Sequence, residues 1–299
     1  MNSNIEFKQR HFEKSIILLM VRWYLSYPLS YRNIEEMMLE RGIQVDHSTI
    51  NRWVIHYSPL LEDEFRNKFK RQIGSSWRMD ETYIKVKGKW HYLYRAVDKN
   101  GNTVDFMLST KRDESSAKAF FTKSIGSSGI PEKITIDKSG ANFAGINAIN
   151  FQITILALLG FSIMKIQIRQ IKYLNNIIEQ DHRGIKRVTN PMMGFKAFHS
   201  AEATLAGIEL CRMLKKRQHI EAKKYACLRT VLRIGGIASS RENTITIFYK
   251  IQNQLRQNQI FHEVRDTRST HNSGSLNTRV ISMVMYSFYG DIHNPRSDR

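Results

Sequence analysis

WRMDETYIKVKGKWHYLYRAVDKNGNTVDFML, residues 77–108, decides the fold. β-Branched, aromatic and polar side chains alternate along it, and Lys87-Gly88 and Asn100-Gly101 interrupt the run twice. Such dipeptides supply hairpin turns, so strands are expected at 77–86, 89–97 and 103–108, in an antiparallel meander. Downstream the period changes. Residues 113–125 read as a helix opened by Asp113 or Ser115, and 133–136 as a short apolar strand ending in Asp137. Helices are expected at 141–159 and 176–187, with a strand at 163–168 between them. Three strands, helix, strand, helix, strand, helix suits an α/β layer fold with a mixed sheet.

Upstream, residues 11–27 form a helical pattern that Pro28 stops. The next segment, LSYRNIEEMMLERGIQVDHSTINRWV (29–54), reads as two short helices around a tight turn. Ser30 and Asp46 are natural N-caps, each followed by a hydrophobic staple, Leu29 with Ile34 and Val45 with Ile50. Gly42 stands where a left-handed cap is wanted. Ile34 and Met38 face inward, as do Ile50, Trp53 and Val54. That leaves His47, Asn51 and Arg52 outside, with Ser48 and Thr49 in the first turn. These five, with Arg32, are the DNA-facing set if the segment is a helix-turn-helix; an ordinary helical hairpin has the same pattern. Residues 60–75 are charged and helix-prone and read as a linker. The expected organisation is 1–59 helical, 60–75 linker, 76–218 catalytic and 219–299 a poorly ordered extension.

Forty-six basic against 27 acidic side chains give a formal charge of +19, which favours a polyanionic partner. The longest apolar runs, 15–21 and 153–163, fall short of the roughly 20 residues of a membrane span. The first ten residues are polar and lack a signal-peptide core. Nucleic acid is therefore the expected partner, with no membrane and a cytoplasmic location. The two cysteines, Cys211 and Cys227, lack zinc-ligand spacing and read as buried thiols.

Three carboxylates carry the chemistry. Asp80 lies inside the first strand, where a charge is costly unless something offsets it. Asp137 ends a strand before a Gly-containing turn, at the sheet edge where open α/β folds bind ligands. Glu179 lies on a helix with His182, Arg183 and Lys186 on its face, three, four and seven positions on, a basic rail for a DNA backbone. A surface helix with Glu–Arg pairs has the same spacing. Asp181 points elsewhere, and Glu81 should face away from Asp80 by strand alternation. Phosphodiester chemistry needs a stabilised phosphorane-like charge and an activated oxygen. Two Mg²⁺ (or Mn²⁺) ions roughly 4 Å apart supply both, and carboxylates are their preferred ligands.

With WRMDETYIKVKGKWHYLYRAV (77–97), ITIDKSGAN (134–142) and RQIKYLNNIIEQDHRGIKR (169–187) in this order, and the 29–54 segment ahead of them, the chain resembles the DDE transposases of bacterial insertion sequences, in particular the insertion sequence six family. The likeness covers roughly residues 8–218. It implies an RNase H-like mixed sheet with flanking helices behind an all-α helix-turn-helix domain, and it maps the catalytic, metal-binding triad to Asp80, Asp137 and Glu179. It also implies cleavage and strand transfer on double-stranded DNA, at the element's terminal repeats, by a homodimer or larger assembly. Lys172, Asn175 and Asn176, beside the catalytic Glu, join His182, Arg183 and Lys186 as expected DNA contacts. Two departures stand out. Asp137 and Glu179 are 179 − 137 = 42 positions apart, longer than the mid-thirties of such enzymes, with the extra length near 151–163. The chain beyond about 219 is also atypical. A non-catalytic end-binding repressor and an RNase H-type nuclease are the competing readings.

Overall fold

The computed structural model describes residues 11–138, 140–159 and 161–219. The atypical C-terminal stretch, with Cys227, lies outside them. The described residues open with three helices: α1 (Lys14–Ser26), α2 (Tyr31–Leu39) and α3 (His47–Lys68). Ser30 caps α2 through a reciprocal box with Asn33, and the Asp46 carboxylate accepts from the Ser48 amide at the start of α3. Gly42 takes φ +70° in the turn between them, where a side chain would be strained. Ile34, Met38, Ile50, Trp53 and Val54 are buried, as their spacing required.

A five-stranded sheet follows, ordered β3-β2-β1-β4-β5. Its first three strands, β1 (Ser76–Val86), β2 (Lys89–Asp98) and β3 (Thr103–Ser109), form the expected antiparallel meander. Lys87 and Gly88 both have positive φ, +49° and +77°, which matches the right-handed twist of the hairpin. After α4 (Glu114–Ser128), β4 (Lys133–Thr135) pairs in parallel with β1. The helix α5 (Gly140–Leu158) crosses over to β5 (Gln167–Arg169), which pairs in parallel with β4. Then come α6 (Asn176–Thr189) and α7 (Phe198–Lys215). This is the RNase H-like mixed sheet with helices on both faces.

Alternation splits β1 between two cores. Trp77 and Met79 face α4 and α5, packing with Phe120, Phe121, Ile146 and Ile149. Ile84 and Val86 face the other way, into a cluster that includes residues of α1, α2, α3 and α7. Gly207 lets α7 approach closely, since a Cβ there would meet Leu25 and Ser58.

Two expectations need correction. The stretch read as a linker from residue 60 is in large part the second half of α3, which runs to Lys68 with Pro59 inside it. Glu62–Arg66 and Glu64–Lys68 pairs gave it a solvated look. Tyr57, Leu61 and Phe65, four apart, are nonetheless buried in the same core as the N-terminal helices. The last strand is shorter and later than 163–168, because it forms only where β4 offers three partners. The extra length between Asp137 and Glu179 ends up at the far end of α5. There Phe151, Ile155, Leu158, Leu159, Phe161 and Met164 are exposed, from about 16 Å along the helix to beyond its end, away from its start beside Asp137. Among the described residues α5 alone is long and apolar enough to cross a membrane. Its ends join neighbouring strands of one sheet, which is the geometry of a crossover helix.

Candidate active site

The β1–β4 register brings the first two carboxylates together. Arg78 is opposite Thr135 in this parallel pair, so two steps further Asp80 meets Asp137 just beyond the end of β4. Oxygens of Asp80, Glu81 and Asp137 all lie within 4.8 Å of one another. Glu81, set aside on alternation, thus belongs to the cluster. Alternation sends it to the opposite face of a paired strand, but β4 ends before reaching it and leaves that edge of β1 open. Arg112, in the turn after β3, draws it round: the guanidinium lies 3.3 Å from Glu81 and 3.1 Å from Asp137. Asn142, buried in the first turn of α5, donates to Asp137 at 3.3 Å. Neither Arg112 nor Asn142 was singled out in the sequence; nothing local in KRD or SGAN marks which carboxylate each would meet.

The Asp80 side chain is 21% exposed. Burial, then the charges of Glu81, Asp137 and Glu179, push its carboxyl up to about 7. The site therefore gathers more negative charge than it can hold unaided, and Arg112 offsets only part of it. That is the donor set and the charge deficit that suit a divalent cation.

Glu179 lies in the first turn of α6, exposed and outside the 4.8 Å cluster, although its charge acts on Asp80. Contacts from β1 hold both α6 and the turn that leads into it. Arg78 donates to the Leu174 carbonyl at 3.0 Å, and His182 Nδ1 lies 3.7 Å from Asp80. His182 is buried, and burial together with the Arg95 charge pushes its pKa down to about 3, so the ring is neutral. Expected on the DNA-facing rail, it instead backs Asp80. Asn175 is likewise buried rather than DNA-facing. His182 is on the inward side of α6, and Asn175 ends the short 3-10 turn, Lys172–Asn175, that pins the start of α6 to the sheet. Asn176, Arg183 and Lys186 are exposed; the Lys172 side chain lies outside the described residues. In the N-terminal hairpin Arg32, Ser48 and Arg52 are exposed and Thr49 and Asn51 half-buried. His47 is half-buried, 3.1 Å from Glu35.

Beneath the site runs a buried charge network. Arg95, the β2 partner of Asp80, is fully buried and binds Glu209 of α7 at 2.5 Å and Asp181 of α6 at 2.6 Å. Asp181 also receives Arg212 and, at 2.8 Å, Lys216. Although burial opposes it, these three cations hold the Asp181 carboxyl well below its ordinary range. Asp181 thus anchors α6 two residues from Glu179.

The transposase for insertion sequence-like element IS431mec of Staphylococcus aureus is 40% identical over 220 residues, 73% of this chain and 92% of that protein. The chain belongs to the DDE transposases of bacterial insertion sequences. A family profile described as a DDE domain matches residues 74–218 of this transposase, and one described as the transposase IS66 family matches 11–131. The S. aureus transposase for insertion sequence element IS257 in transposon Tn4003 is 39% identical over the same length. Among solved structures, the transposase is similar to the catalytic core domain of HTLV-2 integrase in complex with magnesium, trimeric form. The TM-score is 0.35 with 15% identity, covering 53% of this chain and 95% of that one. As a DDE transposase it is a polynucleotidyl transferase.

The raised Asp80 carboxyl has a consequence for stability. The folded protein holds a proton near pH 5–6 that the unfolded chain, with an ordinary carboxyl near 3.8, has released. Stability contributed by this group is present at low pH and lost as pH rises towards 7, by up to about 4 kcal/mol. Melting temperature in EDTA should therefore fall from pH 5 to 8 more steeply for the wild type than for Asp80→Asn. Mg²⁺ or Mn²⁺ should restore it chiefly above pH 7. Equal pH slopes for the two proteins in differential scanning fluorimetry would refute the charge deficit.

Proposed function

We propose that this transposase cuts and joins DNA at the terminal inverted repeats of its insertion sequence, with Asp80, Asp137 and Glu179 holding two Mg²⁺ or Mn²⁺ ions. The observation that supports this most is the convergence of Asp80 and Asp137 at one sheet edge, with Asp80 destabilised by the carboxylates around it. Bound there, divalent ions would polarise the scissile phosphate and make water, then a DNA 3′-hydroxyl, nucleophilic near neutral pH. The chain's own groups do the positioning. Asn142 and Arg112 orient Asp137, neutral His182 backs Asp80, and Asp181 fixes the helix that presents Glu179. Arg183 and Lys186, exposed on that helix, face the phosphate backbone, where cations stabilise developing charge. The N-terminal hairpin reads the repeat, with Arg52 exposed on α3.

Bringing two DNA ends together calls for a homodimer or larger assembly, acting on DNA in the bacterial cytoplasm. The direct test is purified protein, either metal, and DNA ending in the element's repeats. Free 3′-hydroxyl ends and joined products are expected. Binding without either product in any metal would leave only a DNA-end binder.

Arg52→Ala should lower affinity for repeat-ended DNA by roughly tenfold and flatten its salt dependence, because one cation no longer displaces counterions. Gel-shift titrations at two salt concentrations measure both. Unchanged end-specific affinity would remove α3 from repeat reading.

A further inference from the structure

The outer part of the β1–β2 hairpin carries a feature that the carboxylate chemistry does not use. Beyond Glu81 the face of β1 that holds Trp77 and Met79 emerges from under α4 and α5. Tyr83 and Trp90 stand there 51% and 62% exposed. Register pairs Tyr83 with Tyr92 and Lys85 with Trp90. The rings of Tyr83 and Tyr92 are 5.5 Å apart, and those of Tyr83 and Trp90 6.4 Å in an edge-on arrangement. The ladder begins next to Glu81 and Arg112 and extends about 14 Å along the strand. Lys85 shares this face, exposed Lys87 and Lys89 stand at the hairpin tip, and residues 83–92 hold no acidic side chain.

Large exposed aromatics in a soluble protein mark a contact surface. A flat duplex backbone would use the lysines alone and leave the rings in water. Unpaired bases use both, since every base has a face to stack and a phosphate beside it. We propose that this aromatic ladder stacks unpaired bases of the DNA strand next to the scissile phosphate, holding the end of the duplex open while the carboxylates act. The proposal rests on the transposase function for its location. Its occupant is chosen by the lysines and by the ladder's continuity with the carboxylate cluster.

The test uses full-length protein and repeat-ended duplexes whose base pair flanking the cut is either matched or mismatched, with Mn²⁺. Trp90→Ala and Tyr83→Ala should each slow cleavage of the matched duplex by about tenfold. The mismatch should return them to near the wild-type rate, because the bases no longer need to be held apart. A 2-aminopurine placed at the flanking position should be quenched by the wild type and not by Trp90→Ala. Wild-type rates in both variants on the matched duplex, or slow variants that the mismatch does not rescue, would overturn the proposal. So would a variant that sediments as a smaller species while each assembled complex still cuts normally; the ladder would then be a contact between copies of the chain. If the wild type cuts no repeat-ended DNA, the transposase function fails first. Quenching of tryptophan fluorescence by short oligothymidylate, lost in Trp90→Ala, then still decides whether the ladder binds unpaired bases.

Discussion

Asp80→Asn protein should bind repeat-ended DNA nearly as tightly as the wild type and release 3′-hydroxyl ends at least about a thousandfold more slowly. A metal-held phosphate gains several kcal/mol in the transition state, and each 1.4 kcal/mol is tenfold in rate. The substitution keeps the side chain's size and its place opposite Asp137 while removing the charge that faces the cluster. The same change should make the metal-free protein more stable above pH 7, since it relieves the crowding that raises Asp80. Loss of activity with gain of stability is a signature that mere misfolding does not produce. Single-turnover cleavage and thermal melting on one preparation measure both. Parallel Glu179→Gln and Glu81→Gln variants decide the third ligand. The proposed triad requires the first to be about as damaging as Asp80→Asn and the second to be milder, with its effect confined to the Arg112 bridge. Near-normal cleavage by Asp80→Asn would end the case for this site.

Arg95→Met is expected to cost about 3–5 kcal/mol of folding stability, because it leaves charges buried without their partner. Glu209 is fully buried, and Arg95 is its hydrogen-bonding cation. Asp181 would keep Arg212 and Lys216 but lose its link to the sheet. Arg95→Lys should recover little of this, since the guanidinium spans Glu209 and Asp181 at once and an ammonium has no such fork. Gly184 belongs to the same arrangement: a Cβ there would collide with the Arg212 guanidinium, so Gly184→Ala should weaken it from the other side. Urea unfolding measures the effect. A change below about 1 kcal/mol for Arg95→Met would show that the network contributes little net energy, as some buried ion networks do.

The parts of the fold legible in the sequence were those set by local chemistry. Alternation and two Gly-containing turns marked the meander, and Ser30, Gly42 and Asp46 marked the helical hairpin by their capping roles. Asp80 and Asp137 were legible because a carboxylate within or at the end of an apolar strand is costly to keep there without a cation to meet it. What stayed hidden was set by distant packing. Residues 60–68 looked like a linker because Glu62, Glu64, Arg66 and Lys68 masked a stripe of Leu61 and Phe65. Glu81 joined the cluster only because β4 stops after three residues and Arg112 arrives from another strand's end. His182 lies on a helix whose face was judged from its basic residues, and Asn175 ends the short turn just before it. Arg95 and Asp181, 86 positions apart, had no shared local signal, and together they decide which way that helix turns.

The length of α3 acts as a ruler. Its first turn belongs to the proposed repeat-reading hairpin and its last turns, through Leu61 and Phe65, are embedded in the core beneath the sheet. With 22 residues it is about 33 Å long. The proposed recognition and the chemistry would thus be joined by a strut rather than a tether, with the phase between them built into the helix. One residue inserted near His56 would swing the reading edge by about 100°, enough to aim a normally bound repeat away from an otherwise intact catalytic edge.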